Sequence, residues 1–184
     1  MTKRTDTEDD ELELLVIRCQ LGEREAFETL IQQHAQSLHN HLWRVSGDPQ
    51  AAQDLAQDVW LKVLQGLGGL KDTRRFRGWL FSIAHRKLMD RFRAHYRQAL
   101  DHRTDVDSLP EDQDLGARLR LQNELLDALE WLPIIERETL HLFYIEGLSL
   151  QEVADSLSVP VGTVKSRLFR GRQQLRAQID HGNR

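Results

Sequence analysis

Between Thr163 and Arg172, the residues Thr163, Lys165, Ser166, Arg167, Phe169, Arg170 and Arg172 supply cations, hydroxyls and an aromatic ring, with no acid among them. Arg and Lys donate to guanine O6 and N7 or to phosphate oxygens, Ser and Thr donate to either, and Phe packs on a thymine methyl. This is chemistry for reading duplex DNA. It works only if the side chains stand on one side of a rigid rod, and Val161, Val164, Leu168, Gly171 and Leu175, at 3-4-3-4 spacing, give that rod a buried side. Just upstream, Ser149 and Glu152 have capping-box spacing, Val153, Ala154 and Leu157 face inward, and Ser158-Val159-Pro160 makes a turn. Two short helices joined so tightly predict a helix-turn-helix, whose second helix enters the major groove. A basic helix can also be a merely solvated face. Capping box, turn proline, the small Ala154 at the crossing and one-sided charge together favour the DNA reading.

A second basic stretch suits a different ligand. From Arg74 to Arg97 eight basic residues face one acid, Asp90. Trp79, Ser82, Arg86 and Arg93 fall on the side of a helix away from Leu80, Ile83 and Leu88, next to a loop carrying Arg74 and Arg75, with Arg77 just after it. Unstacked bases lie on aromatic rings for about 1–3 kcal/mol each while cations hold phosphates, so this face suits single-stranded DNA. The alternative places Trp79 in the core. On the preceding helix Asp54, Gln57, Asp58 and Leu61 stand at i, i+3, i+4 and i+7. An exposed Leu beside two carboxylates suits a helix-on-helix contact with a basic rim, the alternative being an ordinary amphipathic helix.

The elements that position these groups are helical. The chain has 184 residues, 40% of them apolar, with 4 Pro and 11 Gly, and apolar residues recur at three- and four-residue intervals almost throughout. Leu12, Leu15, Val16 and Cys19 mark one helix, Phe27, Leu30, Ile31, Leu38 and Leu42 a second. Asp48 as N-cap and Pro49 at the first position start a third, whose inward stripe runs from Ala52 through Val63 to Leu64. A fourth runs from about Phe76 to Arg93. These spacings predict an all-α chain: an acidic tail over 1–11, a helical domain over 12–95, a flexible acidic linker over 96–117 and a second helical domain over 118–184. The net charge of -4 hides segregation, since Asp105, Asp107, Glu111, Asp112 and Asp114 crowd the linker and six acids precede Val16. Both acidic segments can fold over the basic patches.

Several classes are excluded. One cysteine allows no internal disulfide and no CxxC motif. No apolar run approaches the ~20 residues of a membrane span, and the acidic N-terminus is unlike a signal peptide. His39 and His41 point apart on a helix, a poor chelate, so no metal and no cofactor are expected. No phosphate loop, nucleophile elbow or carboxylate pair suggests an enzyme or a small-molecule substrate.

The stretch E-G-L-S-L-Q-E-V-A-D-S-L-S-V-P-V-G-T-V-K-S-R-L-F-R-G-R resembles the C-terminal DNA-binding region of bacterial extracytoplasmic-function (ECF) sigma factors of the sigma-70 family. Upstream, G-E-R-E-A-F-E-T-L, D-L-A-Q-D-V-W-L-K-V and F-R-G-W-L-F-S-I-A-H-R-K-L-M-D-R-F-R resemble, in order, segments of sigma domain 2. The resemblance runs from Leu12 to Ile179. It implies sigma domains 2 and 4 and a factor that binds core RNA polymerase, recognises the -35 and -10 promoter elements and directs promoter melting. It further implies that the Thr163–Arg172 face reads the -35 element, that the Trp79 face captures the -10 non-template strand, and that Asp54, Gln57, Asp58 and Leu61 dock on the β′ clamp helices while domain 4 meets the β flap. The linker would thread toward the RNA exit channel. An anti-sigma factor is an implied partner, and a membrane-bound one would hold this otherwise cytoplasmic protein at the inner membrane. The rival readings are a stand-alone helix-turn-helix regulator and a sigma-mimic interaction protein.

Overall fold

The computed structural model describes residues 6–101 and 132–182, with side chains at 7–97 and 132–177. Among the described residues there are helices and no strand. Helix α1 (Asp6–Gln20) leads to α2 (Arg24–Ser46), which ends at Gly47 in the left-handed conformation, its N–H returning to the Trp43 carbonyl. Asp48 then caps α3 (Pro49–Gly66), its carboxylate accepting from the N–H groups of Gln50 and Ala51. Two 3-10 turns (Leu67–Gly69 and Thr73–Arg75) lead into α4 (Phe76–Asp101). The C-terminal half contains α5 (Ile134–Leu140), a π-helical turn (His141–Ile145), α6 (Leu150–Leu157) and α7 (Val161–Gly182).

The inward positions expected of α1 to α4 are buried at Leu12, Val16, Leu30, Leu42, Val59 and Leu80. Each such side chain withdraws enough apolar surface to stabilise the packed state by about 1.5–3 kcal/mol. Leu64 is a correction: expected on the inward stripe of α3, it is 59% exposed. The 3.6-residue period carries it past the edge of the face that α2 and α4 cover. Two boundaries also differ. Helix α4 continues to Asp101, so the segment expected to be linker from 96 begins inside a helix, and α1 starts at Asp6 within the expected tail. Residues 102–117, with the acidic cluster, and the apolar positions from Leu119 to Leu129 lie outside the described residues.

The two halves share one continuous core, in which Leu80, Leu88 and Val63 connect through to Leu142, Val153 and Leu168. Helix α6 packs along α4, and α5 reaches α2. Tight spots mark the fit. A Cβ on Gly171 would stand 2.7 Å from Leu140 Cδ1, so a glycine is what lets α7 cross α5. Ser156, buried on α6, donates from Oγ to the Gly78 carbonyl of α4 at 2.8 Å.

Candidate nucleic-acid interface

The capping box forms as the spacing predicts. Ser149 Oγ accepts from Glu152 N at 3.2 Å, and Glu152 Oε2 accepts from Ser149 N at 2.8 Å. Ser158 closes α6 at φ 54°, and the Pro160 carbonyl accepts from Thr163 N and Val164 N to start α7. With Val164, Leu168, Gly171 and Leu175 buried, the opposite side of α7 presents Lys165, Ser166, Phe169, Arg170 and Arg172 to solvent, while Thr163 and Arg167 are half-buried beside them. Phe169 is 54% exposed, an apolar ring that no described residue covers fully. Two cations of this face are positioned from the preceding segment: Arg170 Nη2 lies 3.0 Å from Glu136 Oε1, and Arg172 donates to the Tyr144 hydroxyl at 2.9 Å.

The second face is divided. Trp79 is half-buried, its ring tilted against that of Phe76 and close over Gly66, so the ring belongs partly to the core and partly to the surface. Ser82 donates to the Trp79 carbonyl, and Arg86 to the Ser82 carbonyl, which lines these side chains along one edge of α4. Arg93 pairs with Asp90 at 3.2 Å further along the helix. Arg74 is bound at 2.8 Å by Glu13 of α1, whose carboxyl is held below its usual range by the hydrogen bond from Arg74. An N-terminal acid thus does meet the basic loop. Arg77 is turned elsewhere, toward Glu146 of the C-terminal half: it donates to the Glu146 carbonyl oxygen and lies 3.6 Å from the carboxylate. It does not share a surface with Trp79, because two residues along a helix rotate a side chain by about 200°.

What covers the Trp79 face is α6. A cavity of about 360 Å³ is lined by Leu70, Arg75, Trp79 and Ser82 on one side and by Glu152 and Asp155 on the other. Asp155 lies 3.4 Å from Arg75 Nη1. Carboxylates of the helix-turn-helix thus face the cations and ring of this surface. Nothing in the local sequence of α6 announces this, since both acids read as capping and solvated residues.

On α3, Asp54, Gln57, Asp58 and Leu61 are all exposed on one side, Leu61 at 57%, and the exposed Leu64 extends the same apolar patch. Asp58 is bridged at 2.8 Å to Lys87 of α4.

Sequence reasoning missed a polar cluster between the halves: buried His41 of α2, half-buried His85 of α4, and buried Glu138, His141 and Glu146 of the C-terminal half. A signal existed for the first of these, because Leu38, His41, Leu42 and Val45 form an i, i+3, i+4, i+7 stripe, and all four are buried. Among the described residues no group of His, Cys, Asp and Glu is arranged to hold a metal ion, and no helix is long and apolar enough to cross a membrane.

Comparison with known proteins adds an independent line. A model of sigma-70 region 2 matches residues 30–98, and one of sigma-70 region 4 matches residues 122–175. The ECF RNA polymerase sigma factor SigW of Bacillus subtilis is 29% identical over 86% of this chain and 91% of its own length. The RNA polymerase sigma-H factor of Pseudomonas aeruginosa is 31% identical over 88% and 90%. The solved structure of CnrH in complex with the cytosolic domain of CnrY aligns with a TM-score of 0.67 at 26% identity, over 92% of this chain and 97% of that one. The sigma factor RpoE of Bartonella quintana, in complex with the anti-sigma factor NepR, shares the fold with a TM-score of 0.70 at 24% identity, over 84% and 96%.

Proposed function

The chain belongs to the ECF group of the sigma-70 family and is an alternative sigma factor of transcription initiation, binding core RNA polymerase and promoter DNA; on that premise we propose how its surfaces divide the work. The outer face of α7, with Lys165, Ser166, Phe169, Arg170 and Arg172 flanked by Thr163 and Arg167, reads the -35 element. The observation that carries this assignment is the one-sided exposure of those groups opposite a buried stripe, behind a formed capping box. The edge of α4 bearing Trp79, Ser82, Arg86 and Arg93, with Arg74 and Arg75 of the loop, captures the -10 strand. Arg77 joins it only when the C-terminal half moves away. The exposed stripe Asp54, Gln57, Asp58 and Leu61 docks on the β′ clamp helices, and the C-terminal half meets the β flap. The units doing this work are residues 12–95 and 118–184.

The polymerase is the enzyme of the assembly, and this chain contributes recognition and melting without chemistry of its own, in the cytoplasm. An anti-sigma factor regulates it, as CnrY and NepR accompany the two structural relatives, and a membrane-bound form of such a partner would hold it at the inner membrane. Pull-down with core polymerase followed by run-off transcription tests the reading as a whole. Specific transcripts that depend on both the chain and the core are expected, and promoter binding by the chain as a polymerase-independent dimer would refute it.

A further inference from the structure

Beside the apolar core that the halves share, their seam buries a polar cluster. His41 Nδ1 of α2 lies 3.2 Å from His141 Nδ1, and His41 Nε2 lies 3.7 Å from Glu138 Oε1. His85 Nδ1 of α4 lies 3.0 Å from both oxygens of Glu138. All of these contacts join the N-terminal half to the C-terminal half. The π-helical turn completes the cluster by closing Glu146 back toward His141, 3.7 Å from its Nδ1.

Two Nδ1 atoms at hydrogen-bond distance share one hydrogen, so one ring donates and the other must accept. If both imidazoles were protonated, two N–H groups would point at each other and two cations would share a dry site. The surroundings make His141 the ring that stays neutral. Burial holds its pKa well below the ordinary value of 6.5, and the neighbouring His41 and Arg44 push the same way. The carboxylate of Glu146, which would favour a cation there, is turned with Oε2 to Ser37 and Arg77 and leaves Oε1 3.7 Å from His141 Nδ1, beyond hydrogen-bond distance. Arg137, donating to the Arg44 carbonyl at 3.0 Å, adds positive charge to the same corner. Once the halves separate, both rings reach water and each can take its own proton.

We propose that the seam is a proton-released latch: the closed arrangement, in which α6 covers the Trp79 face, holds at neutral pH and opens when acid protonates His141, the ring that must accept from His41 across the seam. The chain would then carry an acid-sensing function of its own, independent of any partner protein. The sign follows from proton counting. The closed state binds fewer protons than the open one, so closure is fully favoured above the ordinary histidine pKa and is lost as pH falls below it, by up to about tenfold per pH unit for one proton. Glu138 acts in the same direction lower down. Burial alone would raise its pKa, but the facing His41 and His85 outweigh burial and bring it from 4.5 to about 2, so its contribution disappears only as pH falls through that range. His85 Nδ1 can donate to Glu138 whether its ring is neutral or charged, so that bond survives the transition.

The test uses the full chain with fluorophores on Gln53→Cys and Gln173→Cys in a Cys19→Ala background, both labelled positions being exposed. Energy transfer is followed from about pH 7.5 to about pH 5.5 at constant ionic strength, and the closed-to-open ratio should fall about tenfold. His141→Gln should abolish the fall. His41→Gln, which removes only the facing ring, should retain part of it, and far-UV circular dichroism confirms that each variant is folded. Transfer that does not change with pH in the parent chain, or both variants titrating like the parent, would overturn the latch. Tighter closure in acid would overturn it too and locate the titration at His85 and Glu138. Binding of a short thymine-rich single strand, measured alongside, rests on the proposed role of the Trp79 face. Opening in acid without a gain in strand binding relative to His141→Gln would uphold the latch and refute that role.

Discussion

Arg170 makes the assignment of α7 open to a quantitative test, because its guanidinium already has a partner. Its side chain is 58% exposed, and it sits 3.0 Å from Glu136 Oε1, whose own side chain is only 11% exposed. A base contact requires Arg170 to leave Glu136 or to be shared with it. A partly exposed pair of this kind is worth about 0–1 kcal/mol, which DNA binding must overcome. The carboxylate also repels any phosphate beside α7, by about 0.5 kcal/mol at ~8 Å in a water-like dielectric. Glu136→Gln keeps the shape and removes both penalties. We expect -35 duplex binding to tighten by about 0.5–1.5 kcal/mol, roughly 2- to 10-fold.

Arg170→Ala should move affinity the other way, by about 1–3 kcal/mol if the contact to guanine is bidentate, with relaxed preference at one or two positions. The double variant separates the two routes. If Glu136 acts only by occupying Arg170, the double variant binds like Arg170→Ala; if it also repels phosphates, it recovers about 0.5 kcal/mol. Fluorescence anisotropy with a duplex carrying the selected -35 element, repeated over a salt series, supplies the numbers. Glu136→Gln binding no tighter than the parent, with helicity unchanged, would show that Arg170 never leaves its partner, and the base-reading role would pass to other residues of the face.

Three further expectations concern the other surfaces. Asp58→Arg and Leu61→Glu should each weaken binding to core polymerase without loss of helicity, and Leu64→Glu should join them because it extends the same exposed patch; unchanged core affinity in all three would remove α3 from the interface. Trp79→Ala should leave -35 duplex binding intact but impair opening at -10 in permanganate footprints, a defect that a pre-melted bubble rescues in part, and wild-type opening would return the ring wholly to the core. Ser149→Ala breaks the capping box and should destabilise the helix-turn-helix by about 1 kcal/mol in denaturant unfolding, an expectation that an unchanged midpoint would refute.

How much of this was legible without coordinates depended on the range of the interaction involved. The capping box, the Asp48 cap with Pro49 behind it and the buried stripe of α7 are local: spacing within a single helix settles them, and all three formed. The exposed stripe of α3 was legible for the same reason. Leu64 was misread because an apolar side chain two residues from a helix end can satisfy the period and still lie beyond the reach of the described neighbours. The continuation of α4 to Asp101 was missed because a solvated helix needs no apolar period. Residues 93–97 are polar or exposed, yet the backbone stays helical.

The contact between the halves is of another kind. Its members are far apart in the chain, 53 residues from His85 to Glu138 and 100 from His41 to His141, and each looks ordinary alone. A single His on an apolar stripe most often reads as a satisfied core residue, and a Glu in a helix reads as solvated. Only when α5 lies on α2 and α4 does the carboxylate of Glu138 lose water, and the cost of that burial, several kcal/mol for an unpaired ion, makes His85 and His41 necessary partners. Hydrophobic burial alone would have closed the seam more cheaply. The polar cluster within it has a different property: its stability depends on how protons are distributed among a few groups, so a change of one or two charges shifts the closure of the seam. The same reasoning applies to Glu152 and Asp155 over the Trp79 face, where carboxylates cover a surface suited to phosphates. On the proposed role of that face, a phosphate-bearing strand would compete with Asp155 for Arg75 and meet Glu152 and Asp155 as charges of its own sign, so the cover itself would set what the strand must overcome to bind.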